Sequence, residues 1–234
     1  MKTIGILDGM SWESTVTYYQ VMNTEVKRRL GGSHSAKIVM ESFDYRELEI
    51  LLEHHDWDTI AQVLSKSAKN LASIGAELLV IGANMMHIVA PRIKAASGLE
   101  IVHIVHATAN AILAKGIRKV ALFGTSYTME STMYPDVLAG YGIEVVVPGK
   151  TGQDTIHRTI YDELIKGIIS SRSRDRFKAI ATEMVSKEGI GGVILGCTEI
   201  PLLVKDGDLD VPVFDTTTIH AIHAVRRALE TDRP

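Results

Sequence analysis

The single cysteine of the chain, Cys197, stands where a thiol can do chemistry. It follows the apolar segment 191–196, GGVILG, which predicts a buried strand, and it opens the next turn. The N-terminus of a helix at such a turn can lower the pKa of a thiol and make it a nucleophile or a base. A free cysteine is more often a buried apolar residue, so its position alone leaves both interpretations open.

Hydroxyl and amide side chains are concentrated in four short segments that follow apolar runs. The segments are 8–14, 82–87, 124–130 and 196–199, and their polar side chains include Ser11, Ser14, Asn84, Thr125, Ser126, Thr128 and Thr198. Parallel sheets bind ligands beyond the carboxyl ends of their strands, where such donors suit a small carboxylate. The alternative is that Ser14 and Thr128 only cap the helices that they precede.

Short β-branched segments alternate with longer amphipathic ones along the chain, a pattern typical of parallel sheets with crossover helices. The predicted strands are 3–7, 36–43, 76–82, 99–105, 118–124, 143–147, 191–196 and 211–214. Helices are predicted to begin near Ser14, Trp57, Ile88 and Ala107, and the clearest runs from Trp57 to Ser73.

Right-handed crossovers between the predicted strands then give two similar α/β domains. The first comprises residues 1–102 with 214–234, and the second comprises residues 103–213.

An internal repeat relates the two halves of the chain. The segment LVIGAN at 79–84 matches VILGCT at 193–198, so that Ala83 corresponds to Cys197. The segment IGIL at 4–7, followed by MSWEST, matches VALF at 120–123, followed by YTMEST, with one residue inserted in the second copy. Two matches in the same order and at nearly the same spacing indicate a duplication.

Composition and motifs argue against several other classes of function. Hydrophobic residues make up 46% of the chain and charged residues 23%, as in an ordinary globular protein. The net charge of -3, without a dense Lys/Arg cluster, disfavours nucleic acid or an anionic membrane as the partner. A secretory signal and an apolar run of membrane-spanning length are both missing, so a cytoplasmic location is expected. The motifs of serine hydrolases, P-loops and dinucleotide sites are missing as well.

Two histidine pairs are candidate metal ligands. His103 and His106 lie at a predicted strand end, where side-chain directions alternate. His220 and His223 can share a helix face, but the nearest carboxylate, Asp215, precedes that helix, and no third ligand stands at a suitable spacing. The sequence therefore does not predict a metal site.

Four motifs together resemble the cofactor-independent aspartate/glutamate racemase family, in its branch of broad-specificity members. They are GMSWEST at 9–15, GTSYTME at 124–130, LGCTEI at 195–200 and VFDTTTIHA at 213–221. The resemblance implies two pseudo-symmetric, doubly wound α/β domains with the active site in the cleft between them. It also implies a homodimer that inverts the α-carbon of a small dicarboxylate amino acid, aspartate or glutamate, without pyridoxal phosphate or metal.

The resemblance assigns roles to particular residues. Cys197 is the second of two acid/base residues, and Ala83 stands at the position of the first, which is cysteine or threonine in relatives. The substrate carboxylates are expected to be held by Asn84, Thr125, Thr128 and Thr198, with backbone near Met10 and Ser11. Arg46, in FDYRELE, resembles the arginine that aspartate-selective relatives offer to the side-chain carboxylate. Two bases on opposite faces of the α-carbon are what racemisation requires.

Three residues depart from the family pattern. Ala83 cannot move a proton, Met85 replaces the usual threonine, and Asp8 replaces the first glycine of GGMSWEST, which adds negative charge near an anion site. The sequence therefore leaves three interpretations open. The chain is a racemase whose activity is lowered or lost, a one-base enzyme similar to the arylmalonate decarboxylases, or a small-carboxylate binding protein without turnover.

Overall fold

The computed structural model describes residues 1–230 and divides the chain into two compact units. The first unit comprises Met1–Ile104 together with the described residues from Thr217 onward, and the second comprises Val105–Thr216. The predicted domain boundaries at 102 and 214 lie close to these divisions, and the domain assignment itself stays a prediction. Residues 231–234, which the predicted first domain includes, lie outside the described residues.

Strands and helices alternate throughout the described chain. The strands are β1 (Ile4–Asp8), β2 (Ile38–Ser42), β3 (Leu78–Ile81), β4 (Glu100–Val102), β5 (Lys119–Phe123), β6 (Glu144–Val146), β7 (Val193–Leu195) and β8 (Val213–Asp215). The helices are α1 (Trp12–Leu30), α2 (Tyr45–Glu53), α3 (Trp57–Ser73), α4 (Ala90–Ser97), α5 (Ile104–Ala114), α6 (Ser126–Glu130), α7 (Met133–Ala139), α8 (Lys150–Asp162), α9 (Ser171–Glu188), α10 (Ile200–Leu203) and α11 (Thr216–Leu229). Two 3-10 helices, Met85–Val89 and Leu164–Lys166, complete the order.

The two units contain sheets of the same topology. The first sheet has the order β2-β1-β3-β4 and the second the order β6-β5-β7-β8, and every pairing is parallel. Parallel neighbours require crossover connections, which the helices supply. The α/β class with two doubly wound parallel sheets, predicted from the alternating pattern, is confirmed, and all eight predicted strands are present.

The first sheet is covered on both faces because its strands are apolar at successive positions. Ile4 and Ile6 of β1 pack in a cluster with side chains of α1 and α11, such as Tyr18 and Val225. Leu7 points to the opposite face, where residues of α2, α3 and α4 form a second cluster. The carboxyl ends of β1 and β3 therefore emerge from a rigid three-layer framework.

The second sheet is built on the same plan. Ala121 and Phe123 of β5 and Leu195 of β7 pack against Ile160 of α8 and Phe177 of α9 within one cluster. Phe123 and Phe177 meet in a T-shaped arrangement with ring centroids 5.9 Å apart. This cluster fixes the end of β7, from which Cys197 follows.

Two local predictions differ from the structure. The strand predicted at 99–105 ends at Val102, and α5 begins at Ile104 rather than near Ala107. The apolar run LEIVHIV fits a buried strand and a buried helix equally, so its composition could not locate the boundary. Helix α2 was not predicted; it begins at Tyr45, directly after its N-cap Asp44, and contains Arg46. Among the described residues, the helices are too short or too polar to cross a bilayer.

Candidate active site

One hydrogen bond at the end of each sheet places Ala83 and Cys197 at equivalent positions. The Gly82 amide donates to the Leu7 carbonyl at 2.8 Å, and the Gly196 amide donates to the Phe123 carbonyl at 2.7 Å. Because the same bond joins the same two strands in each unit, residues 83 and 197 follow in register. The predicted match between LVIGAN and VILGCT is confirmed.

The second predicted match of the internal repeat is confirmed for the strands, where Leu7 and Phe123 are equivalent, but its MSWEST and YTMEST segments are out of register. Ser11 is the N-cap of α1 and accepts from the Ser14 amide, and Thr125 is the N-cap of α6 and accepts from the Thr128 amide. The structural equivalents are thus Ser11 with Thr125, and the EST triplets do not coincide. The alternative interpretation, that Ser14 and Thr128 only cap these helices, is wrong, since each lies three residues beyond the cap.

Asp8 ends β1 inside the first unit and is fully buried. Its Oδ1 accepts a 2.9 Å hydrogen bond from the Gly9 amide, while its Oδ2 is buried without a hydrogen-bond partner among the described residues. Burial raises the pKa of this carboxyl to about 7, although bonds from Thr15 and the backbone of Gly9 and Met10 lower it in part. A carboxyl with this pKa is partly protonated at neutral pH.

The residues predicted near Asp8 have defined places. Met10 is buried, and Ser11 is half-buried, with its hydroxyl 3.4 Å from the Ser14 amide and 3.2 Å from Glu13 Oε2. The Ser11 hydroxyl therefore stabilises the start of α1. Its expected role near the substrate carboxylate stays a prediction.

Ala83 and Asn84 form the turn that follows β3. Ala83 is half-buried against the core of the first unit, and Asn84 is buried with helical backbone angles. The His87 side chain anchors this turn because its Nδ1–H donates to the Ala83 carbonyl at 3.0 Å. Met85 opens the 3-10 helix, and no described contact explains the replacement of threonine at this position.

Cys197 lies half-buried beyond β7 and is bound to a carboxylate. Its Sγ–H donates to Glu199 Oε2 at 2.9 Å, and the Thr198 hydroxyl donates to the same oxygen at 2.9 Å. No role was predicted for Glu199 from the sequence. Its place two residues after the cysteine in GCTEI was the available signal.

The pKa of Cys197 is raised, which corrects the expectation of a thiol activated by a helix N-terminus. Burial of the thiol is the largest cause, and the charge of Glu199 and its hydrogen bond act in the same direction. The helix that follows, α10, is only four residues long, and Glu199 occupies its N-cap position. At neutral pH Cys197 is therefore a protonated thiol and a proton donor.

Thr125 and Thr128 lie at the start of α6, beside the turn that holds Cys197. Their hydroxyl oxygens are 3.2 Å apart, and Thr128 is buried. A Cβ atom built at Gly124 would lie 3.0 Å from the Thr128 Cβ, and one built at Gly196 would lie 3.2 Å from its methyl carbon. Glycine at both strand ends thus leaves room for Thr128 against the backbone of β5 and β7.

Arg46 lies in the first turn of α2, with its side chain exposed. Its Nη1 donates to Glu49 Oε2 at 2.7 Å and to Glu53 Oε1 at 3.4 Å. The guanidinium is therefore shared by two carboxylates of its own helix. Its expected contact with the side-chain carboxylate of a substrate stays a prediction.

Two of the histidines considered as metal ligands, His103 and His220, pack together with His87 inside the first unit. His87 lies with its ring centroid 4.7 Å from that of His103 and 5.4 Å from that of His220. His220 Nε2–H donates to the Val102 carbonyl at 2.6 Å, and its Nδ1 accepts from the Tyr18 hydroxyl at 2.8 Å. Within residues 1–230, no group of three or more His, Cys, Asp or Glu side chains is arranged to hold a metal ion.

Comparison with known proteins relates this arrangement to one family. The model of the Asp/Glu/hydantoin racemases matches residues 7–224. A Yersinia pestis crystal structure assigned to Asp/Glu racemase is 48% identical, with a TM-score of 0.93 and coverage of 98% of this chain and 100% of that one. An aspartate racemase homologue from Pyrococcus horikoshii is 35% identical, with a TM-score of 0.86 and the same coverage of the two chains.

A curated relative points in the same direction. The broad specificity amino-acid racemase RacX of Bacillus subtilis is 21% identical over 230 residues, which cover 92% of each chain. The family model spans both units, including the turns that carry Ala83 and Cys197. The chain therefore belongs to the Asp/Glu/hydantoin racemase family.

Proposed function

We propose that the protein is a cofactor-independent amino-acid racemase that moves the α-proton of aspartate or glutamate. The observation that carries this proposal is the Cys197 thiol, placed at the end of β7 and hydrogen-bonded to Glu199 at 2.9 Å. The names of the racemase relatives and the family membership support the reaction class. A small dicarboxylate amino acid is the proposed substrate, and Cys197 is the proposed proton carrier.

The chemistry required is general acid/base catalysis at carbon. Removal of the α-proton leaves a carbanion whose charge spreads onto the adjacent carboxylate, and oriented donors stabilise that charge. Asn84, Thr125, Thr128 and Thr198, with backbone near Met10 and Ser11, are the proposed donors. The start of α6 supports this role because it brings two hydroxyl groups within 3.2 Å of each other.

Ala83 determines which variant of this chemistry operates. Its methyl group carries no exchangeable proton, so the two-base reaction with residue 83 as a partner is not available to this chain. The same substitution favours the alternative of a one-base reaction, in which the protonated Cys197 delivers a proton to one face of a carbanion formed by decarboxylation. An inactive small-carboxylate binding protein is the third possibility.

A racemisation assay distinguishes these functions. L-aspartate and L-glutamate are incubated with the parent protein, with Cys197→Ser and with Glu183→Gln, an exposed-site control, and the D-enantiomers are quantified by chiral chromatography. We expect the parent and the control to form D-amino acid at equal rates and Cys197→Ser to form at least 100-fold less. D-amino acid formation that is equal in Cys197→Ser would refute the proposed role of the thiol.

Two further expectations accompany the proposed function. A homodimer is proposed, and the apolar side chains of Trp12, Val16 and Tyr19, exposed along one face of α1, support an association surface there. Light scattering after size exclusion measures the mass, and Val16→Glu is expected to shift it toward that of a monomer. The proposed cytoplasmic location stays a prediction from the sequence.

A further inference from the structure

Helix α8 contains a histidine for which the sequence predicted no role and which the proposed function does not use. His157 is half-buried, and its Nδ1 accepts a 3.2 Å hydrogen bond from the backbone amide of Ser126, 31 residues earlier in the chain. Ser126 directly follows Thr125, one of the proposed donors to the substrate. The bond therefore connects α8 to the segment that carries the proposed hydroxyl donors.

The His157 side chain stands on a rigid support. Its neighbours on α8, Ile156 and Ile160, are fully buried in the core of the second unit, which fixes the rotation of the helix. The Tyr161 ring lies one helical turn further along α8, with its centroid 4.7 Å from that of the imidazole. The imidazole is therefore oriented by its own helix where it meets the Ser126 amide.

The hydrogen bond determines the tautomer of His157. A backbone N–H can only donate, so Nδ1 is the unprotonated nitrogen of a neutral imidazole and Nε2 carries the proton. An imidazolium ion has an N–H at both positions and cannot accept from Ser126. The bond therefore exists only with neutral His157 in its Nε2–H form.

The hydroxyl pair of Thr125 and Thr128 depends on the backbone that this bond supports. The Thr125 hydroxyl oxygen lies 3.2 Å from that of Thr128 and 3.4 Å from the Thr128 amide, which is long for an N–H···O bond. Helix α6 has only five residues, too few to be stable without tertiary contacts. His157 supplies such a contact at Ser126, the first residue of α6.

On the basis of the function proposed above, we propose that His157 is a positioning residue for substrate binding. Through the Ser126 amide it holds the Thr125 and Thr128 hydroxyl groups in place to bind a carboxylate of the amino acid. Donors that are oriented before the ligand arrives lose less conformational entropy on binding, so that the affinity is higher. All the residues of this arrangement belong to the second unit.

Two substitutions separate the hydrogen bond of His157 from its packing. His157→Phe keeps a ring beside Tyr161 but removes the acceptor, whereas His157→Asn removes the ring but places the acceptor Oδ1 where Nδ1 stood. Isothermal titration calorimetry measures the Kd of L-aspartate, D-aspartate, L-glutamate and D-glutamate. For the amino acids that the parent binds, we expect Kd to rise about fivefold or more in His157→Phe and to stay within about twofold in His157→Asn. His34→Phe, at an exposed histidine, is the control with unchanged Kd.

A second measurement detects the hydrogen bond itself. Long-range 1H–15N NMR shows which imidazole nitrogen of each histidine carries a proton, and the signals that disappear in His157→Asn belong to His157. We expect the proton of His157 on Nε2 at neutral pH, and a proton on Nδ1 would overturn the proposal. Urea unfolding checks that the variants are folded under the conditions of the titrations. His157→Leu, which also lacks the acceptor, is expected to weaken binding as His157→Phe does.

The outcomes distinguish this proposal from the racemase function. An unchanged Kd in His157→Phe, or a larger rise in His157→Asn than in His157→Phe, overturns the positioning role and leaves the racemase function in place. The expected order of Kd values, without formation of D-amino acid by the parent, supports the positioning role and overturns the racemase function. A parent that binds none of the four amino acids overturns both.

Discussion

At the scale of single residues, the hydrogen bond from Cys197 to Glu199 determines which protonation state the thiol holds. The carboxylate accepts from Sγ and from the Thr198 hydroxyl, and its negative charge opposes formation of a thiolate beside it. Cys197 is therefore held ready to donate a proton. Before it abstracts one, its own proton must leave, and Glu199 is the acceptor already in contact.

We expect Glu199→Gln to lower the pKa of Cys197, because the neighbouring charge that opposes ionisation is lost while burial of the thiol remains. A shift of one pKa unit changes the thiolate population about tenfold. The single cysteine makes the measurement direct: the rate of alkylation by iodoacetamide is followed from pH 7 to pH 10. Glu183→Gln, on an exposed helix face, is the control. An unchanged or raised alkylation pKa would contradict the assigned role of Glu199.

At the scale of the elements, the ends of paired strands determine which side chains can meet. Asp8 and Gly82 are neighbours only because β1 and β3 are parallel and in register, and His87 holds the turn beyond β3 through the Ala83 carbonyl. In the second unit, Gly124 and Gly196 leave the corresponding space to the side chain of Thr128. The two units therefore use the same strand ends to hold different side chains.

Gly82→Ala is expected to destabilise the protein by about 1–3 kcal/mol, since the added methyl must displace the buried Asp8 carboxyl. Asp8→Gly combined with Gly82→Ala is expected to recover most of that loss, which a double-mutant cycle of urea unfolding measures. Gly149→Ala is the control, because nothing lies within 4 Å of a Cβ built there. Equal destabilisation in the presence and absence of Asp8 would show that the two residues do not meet.

The sequence was sufficient for the order of the strands and for the equivalence of residues 83 and 197 in the two units, but not for helix α2. Alternation of β-branched runs with amphipathic runs located all eight strands, and LVIGAN with VILGCT located the equivalence of Ala83 and Cys197. The EST triplets misled the second alignment, because residue identity in a helix start carries less information than the cap that precedes it. The raised pKa of Cys197 and the burial of Asp8 depend on three-dimensional neighbours, which spacing along the chain does not contain.

At the scale of the whole molecule, buried titratable groups of opposite kinds link stability to pH. Burial lowers the pKa values of His87 and His220 to about 3 each, so that the unfolded chain binds more protons than the folded one below pH 6.5. Asp8 acts in the opposite direction, because its raised pKa of about 7 makes the folded state bind the extra proton between pH 4 and pH 7. The two histidines lower the free energy of unfolding in acid and the one carboxyl raises it, so the protein is less stable at acid pH.

Each group contributes roughly 1.4 kcal/mol per pH unit, so the free energy of unfolding is expected to fall by about 2 kcal/mol from pH 6.5 to pH 5. Urea unfolding at the two pH values measures this change. His220→Gln is expected to flatten the dependence and Asp8→Asn to steepen it, while His34→Gln, at an exposed residue, leaves it unchanged. Equal stability at the two pH values in the parent and in Asp8→Asn would contradict the buried neutral histidines.

Exchange in D2O shows whether Cys197 carries the α-proton of an amino acid. Proton NMR follows the α-proton signal of L-aspartate and of D-aspartate with equal concentrations of the parent protein and of Cys197→Ser. We expect the signal of both enantiomers to disappear with the parent and one enantiomer to stop exchanging with Cys197→Ser. Loss of the signal at the same rate for both enantiomers with both proteins would contradict this role of Cys197.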